Sequence, residues 1–60
     1  MTEIERNYMA EYEDGDFEVF GSFGNDDAVT REAMEYEPEH GILFNVFELN
    51  GNYDIIRTVF

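Results

Sequence analysis

The chain has 60 residues, of which 15 are Asp or Glu and three are Arg, with no Lys or Cys, giving a formal charge of −12. That length allows one small domain, residues 1–60, and excludes an extensive core. The missing Cys excludes a disulfide framework and thiolate metal sites, and the charge disfavours direct contact with nucleic acid or anionic membranes.

With 43% hydrophobic and 17% aromatic residues, the composition is that of a folding chain. No basic leader precedes an apolar run, and no stretch approaches the roughly 20 apolar residues of a membrane span. The expected location is the cytoplasm.

From Ile4 to Tyr12 the residues alternate. Ile4, Arg6, Tyr8, Ala10 and Tyr12 lie on one side, and Glu5, Asn7, Met9, Glu11 and Glu13 on the other, which predicts a strand over a competing short helix at Glu3–Ala10. Asp14-Gly15 reads as a two-residue hairpin loop. That register pairs Glu13 with Asp16, Tyr12 with Phe17, Glu11 with Glu18 and Ala10 with Val19. Facing carboxylates are destabilising, and no Lys relieves them. Phe17, Val19 and Phe23 continue an apolar side of the second strand, with Gly21 marking a bulge or a close contact.

Asn25-Asp26-Asp27 carries N-cap chemistry and predicts a helix to about Tyr36 or Glu37, stopped by Pro38, with Gly41 opening the next turn. Val29, Ala33 and Tyr36 form its apolar stripe. Asp27, Arg31 and Glu35 form an opposite row in which Arg31 can pair with both acids. Glu32, Glu35, Glu37 and Glu39 crowd the C-terminal end, where the helix dipole disfavours negative charge.

Asn50-Gly51 predicts a second hairpin between Ile42–Leu49 and Tyr53–Phe60. A two-residue loop there sets Val46 opposite Ile55, Phe44 opposite Arg57 in cation–π reach, and Ile42 opposite Val59. Leu43, Phe47, Leu49, Ile56 and Phe60 fall on the other face. The expected fold is α+β: a small antiparallel sheet with one helix on one face, in the order β-β-α-β-β. One helix leaves an apolar face for a second copy or a target protein.

Chemistry has little to work with. A single His40, read as an exposed or locally bonded residue of the loop beside Pro38 and Gly41, no Cys, no Lys and no glycine-rich phosphate loop argue against an enzyme and call for no cofactor. The acids lack EF-hand spacing, so no specific metal site is expected. The candidate partner-binding residues are Glu5, Glu11, Glu13, Asp14, Asp16, Glu18, Asp26, Asp27, Glu32 and Glu35. Met9, Phe20 and Met34 fall on otherwise polar faces and are candidate apolar anchors. Crowding of these carboxylates predicts raised pKa values and stabilisation by salt.

In size, charge and lack of Lys and Cys, with carboxylates along a compact β-containing domain, the chain resembles the small acidic inhibitors of phages and mobile elements. These are the DNA mimics that include anti-CRISPR and anti-restriction proteins. The resemblance implies a cytoplasmic inhibitor in a bacterial host. It would occupy the basic nucleic-acid-binding groove of a defence complex, a CRISPR effector ahead of a restriction enzyme, and block DNA. The alternative is a small acidic interaction module or antitoxin-like neutraliser that uses the apolar sheet face.

Overall fold

A computed structural model describes residues 6–60, without the side chains of Ser22 and Phe23. Glu5 and the expected strand start at Ile4 lie outside the described residues. Strands β1 (Arg6–Tyr12), β2 (Phe17–Phe23), β3 (Leu43–Leu49) and β4 (Ile55–Thr58) form one sheet in the order β2-β1-β3-β4. Every neighbouring pair is antiparallel. Strands β2 and β3 therefore run parallel on either side of β1, joined through the helices α1 (Asp26–Met34) and α2 (Glu37–His40). The α+β class and the antiparallel sheet hold; the single helix does not.

Helix α1 starts where the sequence places it, because the Asn25 side chain accepts the Ala28 N–H at 2.9 Å. It ends at Met34, short of the expected Tyr36 or Glu37. Pro38 then falls in the first turn of α2, where its missing N–H has no intrahelical partner to lose, so it starts a turn instead of stopping one. Gly41 ends that turn with φ 88°.

The core lies between α1 and one sheet face. Tyr8, Ala10, Tyr12, Phe20, Val29, Ala33, Leu43 and Val46 are buried there, and Tyr36 and Val59 pack against them. Val29, Ala33 and Tyr36 thus form the inward stripe that helical periodicity predicts. Phe20 and Tyr36 meet edge to face, with ring centroids 5.5 Å apart.

Both hairpin registers depart from expectation because each loop has three residues, and in the second a bulge between Glu48 and Leu49 adds a further shift. In the first, Tyr12 N–H donates to Asp16 O at 3.1 Å and Gly15 N–H to Tyr12 O at 3.0 Å, with Gly15 at φ 86°. A turn followed by a left-handed residue shifts the pairing by one, to Ala10 with Glu18, Met9 with Val19 and Glu11 with Phe17. A one-residue shift exchanges the faces of a strand. Phe20 joins the core, Phe17 and Val19 turn outward, and Glu11 and Glu18 point to opposite faces, so the expected ladder of facing acids does not form. The pairing skips a residue between Tyr8–Phe20 and Arg6–Phe23, and a Cβ on Gly21 would lie 3.3 Å from Asn7 Oδ1, as a bulge or close contact at Gly21 requires.

In the second hairpin Asn50 N–H donates to Asp54 O and Tyr53 N–H to Asn50 O. The pairs are Phe47 with Thr58, Glu48 with Arg57 and Leu49 with Ile55. Arg57 therefore meets Glu48, not Phe44. The left-handed position here is Tyr53, at φ 65° and 63% exposed. A side chain in this region costs roughly 1–2 kcal/mol, part of which glycine returns as unfolded-state entropy. Tyr53→Gly should therefore stabilise the domain by about 0.5–1 kcal/mol, seen as a thermal midpoint several degrees higher. An unchanged or lower midpoint contradicts this account of the loop.

Candidate protein-binding surface

The first hairpin loop docks on the link from α2 to β3. Glu13 N–H donates to Ile42 O at 2.9 Å and Asp14 N–H to His40 O at 3.1 Å. A Cβ on Gly41 would lie 2.7 Å from Oε1 of the exposed Glu13 side chain, which can swing aside, so it is the positive φ that calls for glycine here.

Docking places His40 among the loop acids. Its Nδ1 lies 2.9 Å from Asp14 Oδ2 and 3.7 Å from Asp16 Oδ2, and its Nε2 lies 2.9 Å from Glu18 Oε2. The ring packs on Tyr12 at a centroid distance of 4.9 Å, and its side chain is 13% exposed. Carboxylates at both ring nitrogens require both to donate, which selects the imidazolium. Hydrogen bonds to Asp14 and then Glu18 accordingly raise the His40 pKa. The Asp14 carboxylate, which accepts the Asp16 N–H and faces His40, is held below its ordinary value.

Nearby, Glu37 accepts the Leu43 N–H at 2.8 Å, and Glu39 is exposed on α2. Glu13, Asp14, Asp16, Glu18, Glu37 and Glu39 thus share one end of the molecule with a single imidazolium. Asp14, Asp16 and His40 also offer one donor atom each within 4.8 Å of one another. When His40 is protonated, its own charge lies among these acids.

The other end is balanced. Arg57 donates to Asp26 through both terminal nitrogens at 2.9 Å and to Glu48 through Nε at 2.8 Å. Arg6 lies 3.8 Å from both Asp26 and Glu48, and Tyr8 OH donates to Asp26 at 2.8 Å. Hydrogen bonds from Arg57 and then Tyr8 hold the Asp26 carboxyl below its usual range, while Asp26 and Glu48 raise the Arg57 pKa.

The candidate residues therefore separate. Glu13, Asp14, Asp16 and Glu18 come together, joined by Glu37 and Glu39. Asp26 is committed to an internal network, and Glu11 lies across the sheet, accepting from Asn45 Nδ2 at 2.8 Å. Asp27 on α1 and Glu35 at its C-cap are exposed and Glu32 is half-buried, while Arg31 makes no ion pair among the described residues, contrary to the expected i, i+4 pairing. Solvation of long exposed side chains offsets the few tenths of a kcal/mol such pairs typically supply. Of the apolar anchors, Phe20 is 8% exposed in the core, Met34 is 40% exposed on α1, and Met9 is half-buried on the far sheet face, so they form no common contact.

Sequence reasoning put His40 in a loop as an exposed or locally bonded residue and missed its long-range contacts. The chain's one His among 15 acids was the available signal, but only tertiary docking shows which acids it meets. No protein-family model matches the chain, and no curated protein or solved structure matches it.

Proposed function

We propose that this chain is an anionic ligand for a basic protein surface that binds nucleic acid, and that it excludes the nucleic acid from that surface. One observation carries the reading. Two of the three arginines are tied to Asp26 and Glu48 at one end, while Asp14, Asp16 and Glu18 face His40 at the other, with Glu13, Glu37 and Glu39 on the docked loop and α2 beside them. That separation gives the molecule a concentrated anionic pole, suited to steering toward Arg and Lys and to charge-assisted hydrogen bonds with them. The exposed acids Asp27 of α1 and Glu35 at its C-cap extend the negative surface.

The pole is a cluster, not a strand-spaced row of phosphate substitutes. The resemblance to DNA-mimic inhibitors accordingly rests on charge and size, with a bacterial defence nuclease, a CRISPR effector ahead of a restriction enzyme, as the target class.

The test is competition with duplex DNA for a target captured at low salt. Binding should weaken as salt rises, and DNA should displace the chain. Replacing Glu13, Asp16, Glu37 and Glu39 by their amides should weaken binding by roughly 10²–10³-fold, taking about 1 kcal/mol for each exposed pair lost. Salt-independent binding, or an amide variant that binds as the parent does, rejects the proposal.

A further inference from the structure

We infer that two copies of this chain associate through the sheet face opposite α1. The registers set Val19, Met9 and Phe47 in one row across β2, β1 and β3, ending at Thr58 of β4. Its margins are exposed, Phe17 50%, Val19 58% and Ile55 51%, while Met9 and Phe47 are half-buried and Leu49 is buried. Such a patch on a small domain marks a contact surface.

Charge identifies the occupant. In a chain with 15 acids, Glu11 is the only ionisable side chain among the described paired residues of this face, and Asn45 already holds it at 2.8 Å. A basic partner finds one counter-charge here, Glu11, and is drawn to the more acidic His40 end instead. What fits a sheet face so poor in charge is another of the same kind. The same face of a second copy supplies it through a twofold axis, with the sheets about 10 Å apart and the helices outside.

The size sets the strength. Three strands of seven residues and one of four, about 4.8 Å apart with about 3.4 Å per residue, project to roughly 400 Å² per copy, or about 800 Å² for the pair. That lies at the upper edge of typical lattice contacts, mostly below about 800 Å², and under stable interfaces of about 1,200–2,000 Å². The dimer is therefore weak and concentration-dependent. With −12 on each copy, added salt strengthens it by screening, the opposite sign to the salt dependence of binding to a basic protein.

Sedimentation equilibrium from micromolar to millimolar protein, at low and high salt, tests this. The expected result is a mass rising from one chain to two with concentration, at lower concentration in high salt. Val19→Asp and, separately, Ile55→Asp replace exposed side chains, and each should remain monomeric with unchanged circular dichroism. In the unmodified chain, amide NMR shifts of Met9, Val19 and Phe47 should move with concentration. A parent chain that stays monomeric at millimolar concentration in high salt overturns the inference. So does dimerisation undiminished in both variants, or loss through these variants of binding to a different protein by a monomeric chain.

Discussion

Tyr12→Ala should leave the domain unfolded at room temperature, while Tyr12→Phe should leave it folded with a lower midpoint. The Tyr12 side chain is fully buried, its hydroxyl donates to Ala33 O at 2.7 Å, and its ring supports His40. It therefore joins the C-terminal half of α1, the central strand and the docked loop in one contact. Removing a buried aromatic ring costs about 3–5 kcal/mol. The whole stability of a chain this long is roughly 3–9 kcal/mol at ~0.05–0.15 kcal/mol per residue, and a 60-residue domain without disulfides belongs near the lower end, where the cavity removes all of it. Phe keeps the ring and loses one hydrogen bond, worth about 0.5–1.5 kcal/mol. Ala33 O still accepts the Tyr36 N–H at 3.1 Å, so the carbonyl is not orphaned. Urea titration followed at 222 nm checks both variants. A Tyr12→Ala protein with near-parental resistance to urea would remove Tyr12 from the centre of the core.

Burial also pushes the Tyr12 phenol up to about 12. The fold thus keeps its proton above the ordinary phenol value of 10.0, and stability contributed by this group is lost as pH rises beyond that value.

Period and capping carried the elements; loop length decided the faces. The alternation through Tyr8, Ala10 and Tyr12 and the stripe Val29, Ala33 and Tyr36 both survive, because burial on one side of an element leaves its period in the sequence. The register does not, since Asp-Gly serves equally as a two-residue loop or as the end of a three-residue one. A signal against the shorter loop was present. It set Glu13 against Asp16 and Glu11 against Glu18, and a shift of one residue dissolves those repulsions while bringing Phe20 into the core.

At Tyr53 nothing local announced the left-handed residue, because Gly51 offered a cheaper turn position on sequence grounds. The candidate site was legible as composition but not as geometry. Strand order, α2 and the long-range docking of Glu13 and Asp14 onto Ile42 and His40 decide which acids cluster and which are neutralised.

Stability should be greatest between about pH 4 and 6.5 and should fall on both sides, in place of the single alkaline decline that raised carboxylate pKa values would produce. The folded chain holds Asp14 and Asp26 below the ordinary value of 3.8, so the unfolded chain binds more protons in acid. Their contribution is complete above that value and is lost as pH falls through the lower folded values.

His40 has the opposite sign. Its pKa is raised above 6.5, so the folded chain keeps a proton that the unfolded chain releases. That contribution is complete below about 6.5 and disappears as pH climbs through the raised value. Above it, a neutral ring presents a lone pair to Asp14 or Glu18, so one of its two side-chain hydrogen bonds is lost while the backbone bonds of Glu13 and Asp14 remain.

Thermal midpoints measured from pH 2 to 9 at fixed ionic strength separate the two limbs. Asp26→Asn should flatten part of the acid limb and leave the alkaline one unchanged. His40→Gln should flatten the decline just above neutrality, with its deficit relative to the parent largest near pH 5 and shrinking as pH rises. If His40→Gln instead shows the same deficit at every pH, the ring contributes by packing on Tyr12 alone. The charge of its imidazolium then has no part in holding the anionic end together.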